Sequence, residues 1–134
     1  MIVREKVVKS VMMWEPISDR IMIMRLKVAP INMLIVQVYA PCEDVKEDEK
    51  DRFYKRLDQV IGKYRKGREC VVVMGDFNGK VGDNKEDDTI RFGLGERNDN
   101  GERVVEFCKR HYLFATNTLI STEEVCTAQM VIAR

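Results

Sequence analysis

The stretch VVVMGDFNGKVG, residues 71–82, sets Asp76 and Asn78 two positions apart at the end of an apolar run. In an extended strand, side chains at i and i+2 point to the same side. If that geometry persists through Asn78, a carboxylate and a carboxamide project together from the strand's C-terminal edge. Open α/β sheets place ligands at that edge. The carboxylate accepts, whereas the carboxamide both donates and accepts, which suits an activated water held beside a phosphate oxygen. Gly75 and Gly79 would let the backbone turn and a ligand approach. Asp, Asn and Gly are also common turn formers, so a second reading is that Asp76 and Asn78 only close the strand. The residue types alone leave both readings open.

Other phosphate and metal motifs fail on spacing. A P-loop needs G-x-x-x-x-G-K-[ST]; here Gly75 to Gly79 is one residue short and Val81 follows Lys80. An aspartyl-phosphate enzyme would want a second carboxylate where Asn78 stands. GLGERNDNG, residues 93–101, lacks the dinucleotide-binding spacing and follows no strand. In DNKEDD, residues 83–88, Lys85 stands where a calcium loop wants Asp or Asn. That stretch reads as a solvated acidic loop. His111, the only histidine, ends a helical segment and reads as a helix-end or packing residue. Lys80, Arg91, Arg97 and Arg103 offer a nucleic-acid patch, but interleaved acids favour a solvated loop.

These residues need elements to hold them. DRIMIMRLKV and INMLIVQVYAP are rich in β-branched residues and Met, and the short APIN link predicts a hairpin. Residues 2–13 mix valines with charges and predict a further strand. From Asp44 to Lys66, Phe53, Leu57, Val60, Ile61 and Tyr64 recur at helical spacing. An acidic start and a basic end match the helix dipole, and Gly67 stands as the expected C-cap. Cys70 to Met74 predict a short apolar strand covered on both faces. A polar loop runs to about Asn100, then a helix to His111 with Val104, Val105, Phe107 and Cys108 on its apolar side. LFATNT predicts another strand, whereas the tail shows no clear period. Strand–helix–strand–helix–strand indicates an α/β fold.

Bulk properties set limits. A length of 134 residues fits one domain, and 45% apolar with 34% charged residues fits a folded one. Net charge is +1, so any nucleic-acid contact must come from a local patch rather than overall charge. Cys42, Cys70, Cys108 and Cys126 are scattered singly, without the spacing of a zinc site or a disulfide framework. No apolar stretch approaches the roughly 20 residues of a membrane span, and MIVREKVVKSVMMW lacks a signal peptide's apolar core. An intracellular chain, in nucleus or cytoplasm, is expected.

IVQVYAP, the amphipathic helix, VVVMGDFNGKVG, NGERVVEFCKRH and LFATNTL follow one another in an order that resembles the endonuclease/exonuclease/phosphatase family. Within that family the likeness is to the apurinic-type endonuclease domain of non-LTR (LINE-like) retrotransposons. It covers the chain up to about Leu119, which makes 1–120 a partial domain of this type and 121–134 a divergent tail. The resemblance implies a four-layer α/β sandwich, present here in part. It further implies cleavage of phosphodiester or phosphomonoester bonds with Mg²⁺ or Mn²⁺, and DNA as partner. By motif, Asp76 would orient or deprotonate the attacking water, and Asn78 would contact the scissile phosphate. Tyr39, in VYAP, would hydrogen-bond the phosphate, and Asn117 would lie near the nucleic-acid groove.

The family's opening asparagine strand and metal-binding glutamate have no counterpart in this sequence. Glu15, in MMWEP, has the chemistry but not the neighbours. The closing tryptophan-bearing strand, Ile-Asp-Tyr strand and Ser-Asp-His element are likewise unmatched. The expectation is a phosphodiesterase-type domain that is inactive by itself, with exposed sheet edges. The alternative is a non-catalytic interaction module or a translated remnant.

Overall fold

In a computed structural model, which describes residues 1–83, 95–116 and 129–133, six strands form one mixed sheet. A single turn of helix, α1 (Glu5–Val8), precedes β1 (Val11–Pro16). β2 (Ile21–Leu26) and β3 (Met33–Tyr39) form the predicted antiparallel hairpin, with Ile23 opposite Val36. α2 (Glu47–Tyr64) then returns the chain to β4 (Cys70–Asp76), which lies parallel to β3. α3 (Asp99–His111), β5 (Leu113–Ala115) and β6 (Gln129–Ala133) complete the order β1-β2-β3-β4-β6-β5.

The helices share one core with alternate residues of the central strands. Ile21, Ile23, Leu34, Val36, Val38, Val71 and Val73 meet Phe53, Leu57 and Ile61 of α2 and Val104 and Phe107 of α3. The apolar positions predicted for both helices are all buried. Met24, Leu26 and Val72, which alternate with the core residues, are buried as well.

Three local expectations are corrected. Residues 2–13 are not one strand: α1 buries no residue, and pairing to β2 begins only at Val11. Valines alternating loosely with charges carry either structure, and the partner strand decides. Gly67 does not cap α2, whose last turn closes through the Arg65 N–H on the Ile61 carbonyl. The backbone is already extended at Arg65, so Gly67, at φ +52°, serves the following turn instead. Finally, β4 does not present an open edge, because β6 from the tail pairs with it antiparallel.

At the end of the sheet away from the candidate site, Arg25 is buried with Glu69. Arg25 Nε stands 2.9 Å from a Glu69 carboxylate oxygen, and the guanidinium also donates to the Tyr64 carbonyl at the end of α2. Among the described residues, no helix is long and apolar enough to cross a membrane.

Candidate functional site

β3 and β4 run parallel and in register, so their C-terminal residues Tyr39 and Asp76 are Cα partners. Both side chains are exposed at that edge, and the Ala40 N–H donates to the Asp76 carbonyl at 2.8 Å. Gly75, one residue earlier, has φ +140°, and a Cβ there would stand 1.9 Å from the Val38 carbonyl oxygen. Only glycine lets the strands approach so closely just before the carboxylate.

The strand geometry does not continue to Asn78. Phe77 turns into the core, and Asn78 takes the left-handed conformation, φ 48°. Its N–H donates to Asp76 Oδ1 at 2.8 Å, an Asx turn, and its Nδ2 donates to the Ala40 carbonyl at 2.8 Å. Asn78 thus reaches the same edge as Asp76 through a turn rather than through period-two alternation. These bonds bear out the turn reading of the stretch, and they leave the Asp76 carboxylate and the Asn78 carboxamide at one edge.

α3 locks this turn from outside. Asn98 caps the helix: its Oδ1 accepts from the Gly101 N–H at 2.9 Å and from the Lys80 N–H at 2.7 Å. Asn100, 1% exposed, donates its Nδ2 to the carbonyls of Pro41 and Asn78, each at 3.0 Å. Glu43 receives the Asn98 carboxamide at 2.8 Å and the Asn100 N–H at 3.2 Å. A Cβ on Gly101 would lie 1.8 Å from the Lys80 carbonyl oxygen, so helix and loop are in backbone contact. Sequence reasoning missed Asn98, Asn100 and Glu43. An asparagine ahead of a helix is a readable cap signal for Asn98, whereas nothing local marks Asn100 as buried.

Behind this turn an ion cluster joins the two helix N-termini. Lys50 Nζ, 2% exposed, lies 2.8 Å from Glu47 and 3.1 Å from Asp99. Arg103 pairs with Glu47, Asp51 and Asp99. The Lys50 hydrogen bond, followed by that of Arg103, holds both the Asp99 and Glu47 carboxyls below their usual range. Burial pushes the Tyr54 hydroxyl, beneath the cluster, well above its usual value.

The remaining candidates are distributed elsewhere. Glu15 lies in β1, three strands from Asp76, where its carboxylate accepts from the Tyr64 hydroxyl at 2.8 Å. His111 ends α3 at its far end from the site, 2.7 Å from Asp58 and against the Phe107 ring. Arg97 is bound to Glu102 at 3.0 Å and to the Val81 carbonyl at 2.7 Å. Arg91 and Asn117 lie outside the described residues. Among the described residues no group of three His, Cys, Asp or Glu side chains is placed to hold a metal ion. Asp76 supplies one carboxylate, with Tyr39 and the Asn78 carboxamide beside it. A divalent ion on that set would draw most of its ligands from water, so the described residues do not fit a resident Mg²⁺ or Mn²⁺.

No family model matches the sequence. The chain is 39% identical over 103 residues to craniofacial development protein 2 of Bos taurus, covering 76% of this chain and 17% of that protein. It is 33% identical over 120 residues to craniofacial development protein 2 of Tragulus javanicus, covering 89% of this chain and 21% of that protein. The chain therefore spans about a fifth of the length of these curated relatives. Among solved structures, its fold is similar to the endonuclease domain of TRAS1, a telomere-specific non-LTR retrotransposon. The TM-score is 0.60 at 12% identity, over 87% of this chain and 52% of that one. The chain thus combines a sequence related to craniofacial development protein 2 with an α/β fold similar to that of a retrotransposon endonuclease domain.

Proposed function

We propose that this chain carries the phosphate-facing end of an endonuclease-type site, binds the phosphodiester backbone of nucleic acid there, and does not hydrolyse it unaided. The observation that carries this reading is the in-register pair Tyr39 and Asp76, with the Asn78 carboxamide fixed beside them. In this reading the Tyr39 hydroxyl donates to a non-bridging phosphate oxygen. Asn78 offers its second amide hydrogen to the same group, and Asp76 accepts a proton from an approaching water. One carboxylate cannot supply the charge that such a transfer needs, because residues of such sites act as a unit.

A second reading, a non-catalytic interaction module, draws on a specific observation. Asp76 Oδ1 and the Asn78 amide are already engaged in holding the turn. Supercoiled plasmid nicking and fluorescence anisotropy with a labelled duplex, in millimolar Mg²⁺ or Mn²⁺, test both. The proposal expects salt-sensitive binding, with nicking no greater than that of Asp76→Ala. Nicking that depends on Asp76 would overturn the statement that the chain is inactive alone. Absence of any binding would favour the interaction module.

A further inference from the structure

We propose that Arg20 is the cation that receives the phosphodiester at this edge, with Tyr39 held between Arg20 and Asp76. The proposal rests on the reading that this edge meets a phosphate. Arg20 immediately precedes β2, and its carbonyl accepts the Tyr39 N–H at 2.9 Å. Tyr39 in turn is the register partner of Asp76. Arg20, Tyr39 and Asp76 therefore occupy neighbouring positions across three adjacent strands. The Arg20 guanidinium carbon lies 5.7 Å from the centre of the Tyr39 ring, within cation–π range.

Charge makes this contact consequential. Asp76 brings a carboxylate to this edge, and a carboxylate repels a phosphodiester of the same sign. A cation beside Tyr39 offsets that repulsion where the phosphate would sit. Arg97 is held by the Val81 carbonyl as well as by Glu102, and Arg103 pairs with three carboxylates. Arg20 pairs with Glu49 through Nη2 at 3.3 Å, and the Asp19 carboxylate stands 3.9 Å from its Nε. The Arg20 side chain keeps 29% of its surface exposed, and Glu49 keeps 43%. A guanidinium has five donors and these pairs leave several unused, so Glu49 aims the group without consuming it. Exposed pairs of this kind are weak enough for Arg20 to turn toward an incoming anion.

Dimethyl phosphate, a diester without base or sugar, isolates this contact. In a titration followed by NMR, the Arg20 Nε–H and Tyr39 resonances should shift saturably in the native chain. They should shift equally in Arg68→Ala, which removes an exposed cation at the opposite end of the sheet. Arg20→Ala should abolish the Tyr39 shift, and Arg20→Lys should retain part of it. With duplex DNA, Arg20→Ala should reduce the slope of log affinity against log salt by about one phosphate contact, roughly 0.9. Arg20 resonances that dimethyl phosphate leaves unmoved, or an unchanged Tyr39 shift in Arg20→Ala, would overturn the proposal. A shift at Arg20 without any DNA binding would support the anion site while overturning the nucleic-acid reading above. DNA binding whose salt slope ignores Arg20 would do the reverse.

Discussion

The Asn100 carboxamide donates to the Asn78 carbonyl at 3.0 Å from a position that is 1% exposed, and to the Pro41 carbonyl at the same distance. One side chain from α3 thus ties together the segments that follow β3 and β4. Asn100→Ala leaves two carbonyls without this donor, and should cost about 2–3 kcal/mol in urea unfolding. Asn100→Asp should be worse near neutral pH, since it sets a carboxylate against two carbonyl oxygens. Part of that deficit should return as the carboxyl protonates in acid.

Asn78 and Asp76 separate conformation from charge. Asn78 sits at φ 48°, a region that asparagine and glycine tolerate and β-branched residues do not. Asn78→Gly loses the Ala40 bond but fits the backbone, and should stay within about 1 kcal/mol of the native chain. Asn78→Val should lose about 2–4 kcal/mol, from strain and the lost bond together. Asp76→Asn keeps an oxygen to accept the Asn78 N–H and should leave the unfolding midpoint nearly unchanged. A large destabilisation in Asp76→Asn would mean that the charge itself holds the turn.

The Arg25–Glu69 pair is buried on both sides, at 7% and 8% exposure. Glu69→Ala strands the guanidinium in the protein and should cost about 3–5 kcal/mol. Replacing both partners by methionine removes the stranded charge, and should cost less than Glu69→Ala. Chemical unfolding of the single and double variants measures this difference directly.

The cluster of Lys50, Glu47 and Asp99 sets a window of pH. Both carboxyls are held below their ordinary values of 3.8 for Asp99 and 4.5 for Glu47. Their contribution is complete above those values and is lost as pH falls through the lower folded values. The Glu47 hydrogen bond raises Lys50 above its ordinary 10.5, so its contribution is complete below that value and is lost as pH rises through the folded one. The stability difference between the native chain and Lys50→Met should therefore stay flat from about pH 5 to about pH 10 and shrink outside that range. A difference that instead changes through pH 6–7, in about the histidine range, would place the controlling group elsewhere.

The helices were the most legible elements, because Phe53, Leu57 and Ile61 or Val104 and Phe107 repeat at a spacing that only a helix can bury together. The β2–β3 hairpin and β4 were legible from apolar runs bounded by turn residues. α1 and β6 were not, since a few valines or QMVIA become strand or helix according to what lies beside them. Asp76 and Asn78 stood out by residue type, but Asn78's turn geometry was hidden in the backbone conformation. Tyr39 acquired meaning only from family resemblance, and its pairing with Asp76 is a matter of register between distant segments. Asn100 could not be picked out, because its burial depends on Pro41, nearly sixty residues away in sequence.

The Asx turn also bears on how this stretch changes under selection. Asn78 spends its N–H and part of its carboxamide on the fold, and Gly75 and Gly101 are confined by neighbouring carbonyls. Altering them would be penalised through stability whether or not the chain acts on nucleic acid, so the tetrapeptide GDFN can persist on structural grounds alone. Tyr39 is different: its side chain is half exposed and packs on Arg20 rather than on the core. Drift at Tyr39 with GDFN intact would be the mark of a scaffold released from catalysis.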